Sequence, residues 1–192
     1  PANILGSVSS SPLHMASVFA TIANSGQQCK PQSIESVTDR DENVLKEFAA
    51  DCKEVISPDV ANKTAALLTA SAGQYYTSTR LGDGRPFAAK SGTTDGHANT
   101  WLTGFTPSLA TSAWVGHGDN SSQEVSGVVI NGVYHSEIFG ETYVGQNIWA
   151  PYMTQALAGT PVEAVSNANI GATTPQRGAT PTPTPSASPT SN

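Results

Sequence analysis

Phe87-Ala88-Ala89-Lys90-Ser91-Gly92-Thr93-Thr94-Asp95 is followed by Thr100-Trp101-Leu102-Thr103-Gly104-Phe105-Thr106-Pro107 and then by Ala113-Trp114-Val115-Gly116-His117. These stretches belong to three strand-like runs, at 85–94, 100–105 and 110–117. The first two are separated by the loop Asp95-Gly96-His97-Ala98-Asn99, and the third follows the turn Thr106-Pro107-Ser108. Consecutive strands joined by short loops predict an antiparallel meander.

The first run also carries chemistry. Side chains alternate along a strand, so Lys90 and Gly92 point one way while Ser91 and Thr93 point the other. At a sheet edge the free backbone can pair with an extended ligand by strand addition. Gly92 would let that ligand's backbone approach closely. Hydroxyls at Ser91, Thr93 and Thr94 beside the Lys90 ammonium suit a carboxylate. The combination describes a binding edge for a peptide with a free C-terminus; as a bare string it is weak evidence, and a strand end entering a loop is the simpler reading.

Outward from this centre, three helices have start or stop signals. Ser11-Pro12 reads as an N-cap with Pro at the first helical position. Leu13, Ala16, Phe19, Ala20 and Ala23 follow at helical spacing until Ser25-Gly26. Ser57-Pro58-Asp59 repeats the signal, with Val60, Thr64, Leu67 and Leu68 expected inward and a stop near Gly73. Ile148, Trp149, Tyr152, Met153, Ala156 and Leu157 form a last apolar stripe, closed by Gly159. Between the first two helices, residues 33–38 and 44–48 flank a turn-rich segment and predict a hairpin. Helices before and after a meander predict an α+β fold, an antiparallel sheet flanked by helices.

The chain has 192 residues, 38% hydrophobic and 12% charged, with a formal net charge of −6. The charged share is about half that of ordinary globular domains. An acidic chain without a basic run has no footprint for nucleic acid or anionic lipid. No window approaches the ~20 apolar residues of a membrane-spanning helix. From Gly171 onward there is no Leu, Ile, Val, Met or aromatic residue, and Pro, Thr, Ser and Ala dominate. Such a segment cannot bury enough apolar surface to offset its ordering entropy. The expected division is therefore a folded part, 1–162, and a disordered Pro/Thr/Ser-rich tail, 163–192. The start at Pro1-Ala2-Asn3 reads as that of a processed form or a piece of a longer protein.

Cys29 and Cys52 are the only cysteines and bracket the expected hairpin. In a cytosolic protein they read as two buried thiols, in an exported one as a disulfide. His14, His97, His117 and His135 show no metal-ligand spacing; His97 is singled out because it follows the lysine motif closely. Neither a G-x-S-x-G elbow nor a phosphate-loop glycine signature occurs.

The three stretches quoted above resemble the third active-site motif and following strands of penicillin-binding proteins, specifically the bifunctional, class A type. There Lys-Thr-Gly-Thr-Thr precedes Trp-Phe-x-Gly-Tyr-Thr-Pro and Trp-Val-Gly. The likeness extends to Ser10–Gln27, similar to the family's Ser-Pro-Leu-x-Met-Ala helix, and to Ile138–Pro161, similar to its closing Trp-bearing segment. It covers most of residues 5–161 in the family's order.

The resemblance implies the C-terminal part of the transpeptidase fold that these proteins share with serine β-lactamases. It implies a D-Ala-D-Ala transpeptidase that cross-links peptidoglycan stem peptides through an acyl-serine and is acylated by β-lactams. Carried over by position, Lys90 and Thr93 take catalytic roles: Lys90 supports the electrostatics of the nucleophile region, and the Thr93 N–H is an oxyanion-hole donor. Ser91, Gly92, Thr93 and Thr94 take substrate-binding roles, with Ser91 where the family usually has Thr. Ala89 and Asn99 stand where Gly and Asp are frequent. The nucleophile motif Ser-x-x-Lys and the second motif Ser-x-Asn do not occur in the sequence. The expected partner is therefore the remainder of the same polypeptide. Non-catalytic cell-wall peptide binding and serine β-lactamase activity are the alternatives. No metal or organic cofactor is implied. The implied location is the extracytoplasmic face of a bacterial membrane, attached through an N-terminal anchor, and that setting favours a Cys29–Cys52 disulfide.

Overall fold

The three strand-like runs form one antiparallel sheet in the computed structural model, which describes Gly6, residues 8–120, residues 122–166 and Ala168. Most of the expected tail, from residue 169 onward, lies outside the described residues. In chain order the elements are α1 (Pro12–Ala23), β1 (Gln27–Cys29), β2 (Ser36–Thr38), β3 (Val44–Glu47), β4 (Cys52–Glu54) and α2 (Pro58–Tyr75). There follow β5 (Ala88–Thr93), a 3-10 turn (Asp95–His97), β6 (Asn99–Thr106), β7 (Leu109–Gly116), β8 (Ser126–Ile130) and β9 (Val133–Glu137). A π-helical segment (Gly140–Trp149) then runs into α3 (Ala150–Ala156). The meander has the order β5-β6-β7, so the architecture is the expected antiparallel sheet flanked by helices.

The central strand β6 is covered on both faces, and nearly every residue from Thr100 to Thr106 is buried. One core joins Leu102 and Ala89 to Tyr76, Ile138, Val144, Trp149, Met153 and Leu157. The Trp149 indole is fully buried and donates to Thr111 O at 3.1 Å, which satisfies its one polar atom. The other face packs Ala88 and Phe105 against Phe19 of α1 and Ala65 of α2. Val165 joins that cluster.

Both caps form as the sequence predicts. The Ser11 hydroxyl accepts from His14 N and the Ser57 hydroxyl from Val60 N, each before a Pro at the helix start. The inward faces differ from the expectation. Met15, Phe19 and Ile22 face the core from α1, while Leu13 is exposed. In α2 the buried positions are Ala61, Ala65 and Ala72; Val60 and Leu67 are exposed, and the helix runs past Gly73 to Tyr75. Alanine lets α2 approach β5 closely, and that contact selects the buried face over the bulkier residues. In the last stripe Trp149, Met153 and Leu157 are buried, whereas Ile148 and Tyr152 are exposed.

Residues 27–54 form an arm of two ladders, β1 with β4 and β2 with β3. Cys29 lies directly opposite Cys52 and the two are disulfide-bonded. A loop of this length contributes about 3 kcal/mol in the chain-entropy account. The β8–β9 hairpin was not expected from the sequence. Its Asn131-Gly132 turn, both residues at positive φ, is the short-range signal that identifies it.

Arg85 anchors the chain just before β5. Its buried guanidinium donates to Asp83 Oδ2 at 2.8 Å and to the Thr160 hydroxyl at 2.9 Å. It also reaches the carbonyls of Leu157 and Thr160. The Arg85 hydrogen bond holds the Asp83 carboxyl below the usual carboxylate range, as Asn43 does for Asp39 and Lys30 for Asp51. A carboxylate with a depressed folded value stabilises fully above its unfolded value and loses that contribution as pH falls through the folded one. Melting temperature should therefore fall below about pH 4. In Asp83→Asn it should already be lower at neutral pH and decline less steeply on acidification; an unchanged acid limb would contradict this assignment.

Candidate functional site

β5 is an edge strand of its sheet, with β6 on one side and no strand on the other. Its first two residues, Ala88 and Ala89, are fully buried and fix the strand in the core. Lys90 and Thr93 are exposed, and Ser91 and Gly92 are half-buried. Register pairs Lys90 with Thr103, Ser91 with Leu102, Gly92 with Trp101 and Thr93 with Thr100.

One hydrogen bond settles which backbone groups face outward. Thr94 N donates to Asn99 O at 3.0 Å, so the opposed pair Thr94/Asn99 is a hydrogen-bonded one. Such pairs alternate along an antiparallel ladder. Lys90 and Gly92 therefore turn their N–H and C=O groups toward β6, while Ser91 and Thr93 turn theirs to the free edge. The side-chain contacts agree. Lys90 Nζ donates to Ser91 O at 2.8 Å, which brings the ammonium round to that edge. Ser91 N donates to the Tyr76 hydroxyl at 2.8 Å. The neighbouring N–H and C=O of Thr93 thus point outward one step along the strand.

The edge is supported from beneath by the start of the π-helical segment. Gly140 N donates to Thr93 Oγ1 at 3.3 Å, which leaves the Thr93 hydroxyl proton available to another acceptor. A Cβ on Gly92 would meet only Trp101 Cβ at 3.7 Å, an ordinary contact. The fold itself therefore does not demand glycine there.

Thr94 is placed differently from the other motif residues. Its hydroxyl accepts from Asn99 N at 2.9 Å, so it closes the β5–β6 turn instead of lining the edge. His97 has φ of 54° and sets its ring edge-on against Phe139, with centroids 4.6 Å apart. Asn99 Oδ1 accepts from the Trp114 indole at 3.1 Å, a role a carboxylate oxygen could fill as well. Sequence reasoning missed Tyr76 and Gly140, which touch the motif from 15 and 47 residues away in the chain. Among the described residues no three His, Cys, Asp or Glu side chains form a cluster able to hold a metal ion.

The family profile described as the penicillin binding protein transpeptidase domain matches residues 3–133, more than half of the chain. The chain belongs to the penicillin-binding protein transpeptidase family. Penicillin-binding protein 1A of Mycolicibacterium smegmatis is 35% identical over 167 residues, covering 83% of this chain and 20% of the relative. Penicillin-binding protein 2D of Bacillus subtilis is 33% identical over 174 residues, 84% of this chain and 22% of that protein. The chain thus spans about a fifth of the length of these curated relatives. Among solved structures, the penicillin-binding protein PonA1 from Mycobacterium tuberculosis superposes with a TM-score of 0.71 at 30% identity, over 85% of this chain and 43% of that one. The architecture above is accordingly a portion of the penicillin-binding transpeptidase fold.

Proposed function

We propose that this chain supplies the substrate-binding strand of a peptidoglycan D,D-transpeptidase, in which a nucleophilic serine carried elsewhere in the polypeptide is acylated by D-Ala-D-Ala stem peptides or β-lactams. The observation that carries this reading is the edge of β5, where the Thr93 N–H and C=O, the Lys90 ammonium and the Ser91 hydroxyl lie side by side. A peptide laid along the edge receives a hydrogen bond at its reacting carbonyl from Thr93 N–H and gives one from its own amide to Thr93 C=O. As the carbonyl becomes tetrahedral, negative charge develops on its oxygen. A fixed backbone donor stabilises that charge without reorganisation. Lys90 supplies positive potential to the same region, and the Ser91 and Thr93 hydroxyls serve the terminal carboxylate.

The serine nucleophile and its general base belong to Ser-x-x-Lys and Ser-x-Asn motifs, absent from these residues. Acylation is therefore a property of the whole polypeptide. The family and the shared strand favour a location on the extracytoplasmic face of the bacterial membrane. The Cys29–Cys52 disulfide fits an oxidising compartment of that kind.

The test is covalent labelling of the natural full-length protein by a fluorescent penicillin. A stable adduct on a serine, blocked by prior exposure to unlabelled penicillin, is the expected result. Reversible binding of a D-Ala-D-Ala peptide without adduct would instead identify a non-catalytic relative. Rapid turnover of a chromogenic cephalosporin would identify a β-lactamase.

A further inference from the structure

Tyr76 lies at the C-terminal end of α2, outside every motif considered above. Its side chain is buried, at 5% exposure, yet its hydroxyl reaches the functional edge. That hydroxyl accepts from Ser91 N at 2.8 Å and donates to Ser91 Oγ at 3.3 Å. A strand edge ordinarily offers the N–H of every second residue to an incoming ligand. Here the offer at Ser91 is already taken by Tyr76, and the Ser91 carbonyl by Lys90. Among the described residues, Thr93 is then the exposed edge residue of this motif whose N–H and C=O both stay open to a ligand.

The second bond has a directional consequence. A hydroxyl carries one proton and two acceptor lone pairs. With Tyr76 donating into one lone pair of Ser91 Oγ, the Ser91 proton points away from Tyr76 and is free for another acceptor. We propose that Tyr76 is a positioning residue for Ser91. It holds the Ser91 hydroxyl as a donor to the substrate carboxylate and closes the Ser91 amide to strand addition, so that ligands register on Thr93. This rests on the transpeptidase reading above and extends it to a residue that does not itself touch substrate.

The experiment compares acylation of the full-length protein by a penicillin and by its methyl ester, which lacks the carboxylate charge. Wild type should prefer the free acid. Tyr76→Phe keeps the ring and removes the hydroxyl; acylation by the acid should fall about 10-fold, the effect of losing roughly one hydrogen bond to a charged group. Acylation by the ester should change less than about 2-fold, so the discrimination ratio contracts. Ser91→Ala should contract the ratio similarly, and adding Tyr76→Phe to it should contract it no further, as for two groups acting through one contact.

A 3,5-difluorotyrosine at position 76 retains the shape and keeps the test available if Tyr76→Phe does not fold. Its more acidic phenol stops donating once ionised. Preference for the acid should then fall on raising the pH through the fluorinated phenol's pKa, in a range where wild type is flat. Equal losses for acid and ester, or an unaltered ratio in both substituted proteins, would overturn the proposal while leaving the transpeptidase reading intact. A wild-type protein that labels with neither compound would overturn both.

Discussion

Replacing Lys90 by Ala in the full-length protein should lower the second-order rate of penicillin acylation by about 10²–10³-fold, the scale of losing one preorganised electrostatic donor at a reacting centre. The structure separates this effect from a folding defect. Lys90 is exposed, and among the described residues its ammonium bonds only the Ser91 carbonyl on its own strand. Among the described residues it forms no salt bridge. Its charge is therefore not neutralised by these residues and remains directed at the edge. Surface substitutions without buried partners typically change stability by less than about 0.5 kcal/mol, so the melting temperature should hardly move. Ser91→Thr should be nearly silent in the same assay, because the hydroxyl is retained. Time courses of adduct formation check both; wild-type acylation by Lys90→Ala would remove the role given to this residue.

Gly140→Ala should be the most damaging single-methyl change near the site. A Cβ there would lie 2.1 Å from Trp101 O, 3.0 Å from Ser91 Cβ and 3.2 Å from Gly92 O. The nearest of these is backbone of the central strand, which cannot rotate away as a side-chain tip could. The π-helical segment and the sheet must separate instead, at a cost of about 3 kcal/mol or more for overpacking a rigid site. Separation also breaks the Gly140 N–H bond to Thr93 Oγ1, so the edge loses its support together with its stability. Urea midpoints and acylation rates should fall together. Gly73→Ala provides the opposite sign. It lies inside α2 with nothing within 4 Å of the added methyl, and should stabilise by about 0.5–1 kcal/mol through helix propensity and a more restricted unfolded chain. Equal midpoints for the two variants would refute the steric argument.

Local signals and long-range packing divided the legibility of this fold. Ser11-Pro12 and Ser57-Pro58 announce helix starts because capping joins groups only three residues apart. The meander is legible because each loop between its strands is short. Leu13 in α1 and Val60 and Leu67 in α2 belong to the apolar periodicity, yet all three are exposed. Apolar periodicity identifies a stripe but not which of two adjacent stripes a neighbouring element covers. The β8–β9 hairpin carries a local signal too, the Asn131-Gly132 turn at positive φ.

Sequence by itself determined the residue types of the β5 strand and their alternation across its two faces, and the ordered segments over most of residues 5–161 carry the family resemblance. Those properties follow from the period-two geometry of a strand and from order along the chain. Tertiary structure alone decided that β5 is an edge, that Ser91 and Thr93 rather than Lys90 and Gly92 turn their backbones outward, and that Thr94 serves the turn. It also decided that Tyr76 and Gly140 hold the strand from either end of a long sequence separation. Edge status and hydrogen-bond parity depend on which partner strand is present and in what register. Neither is encoded in the strand's own residues, because backbone N–H and C=O groups are the same at every position and only a neighbour distinguishes them.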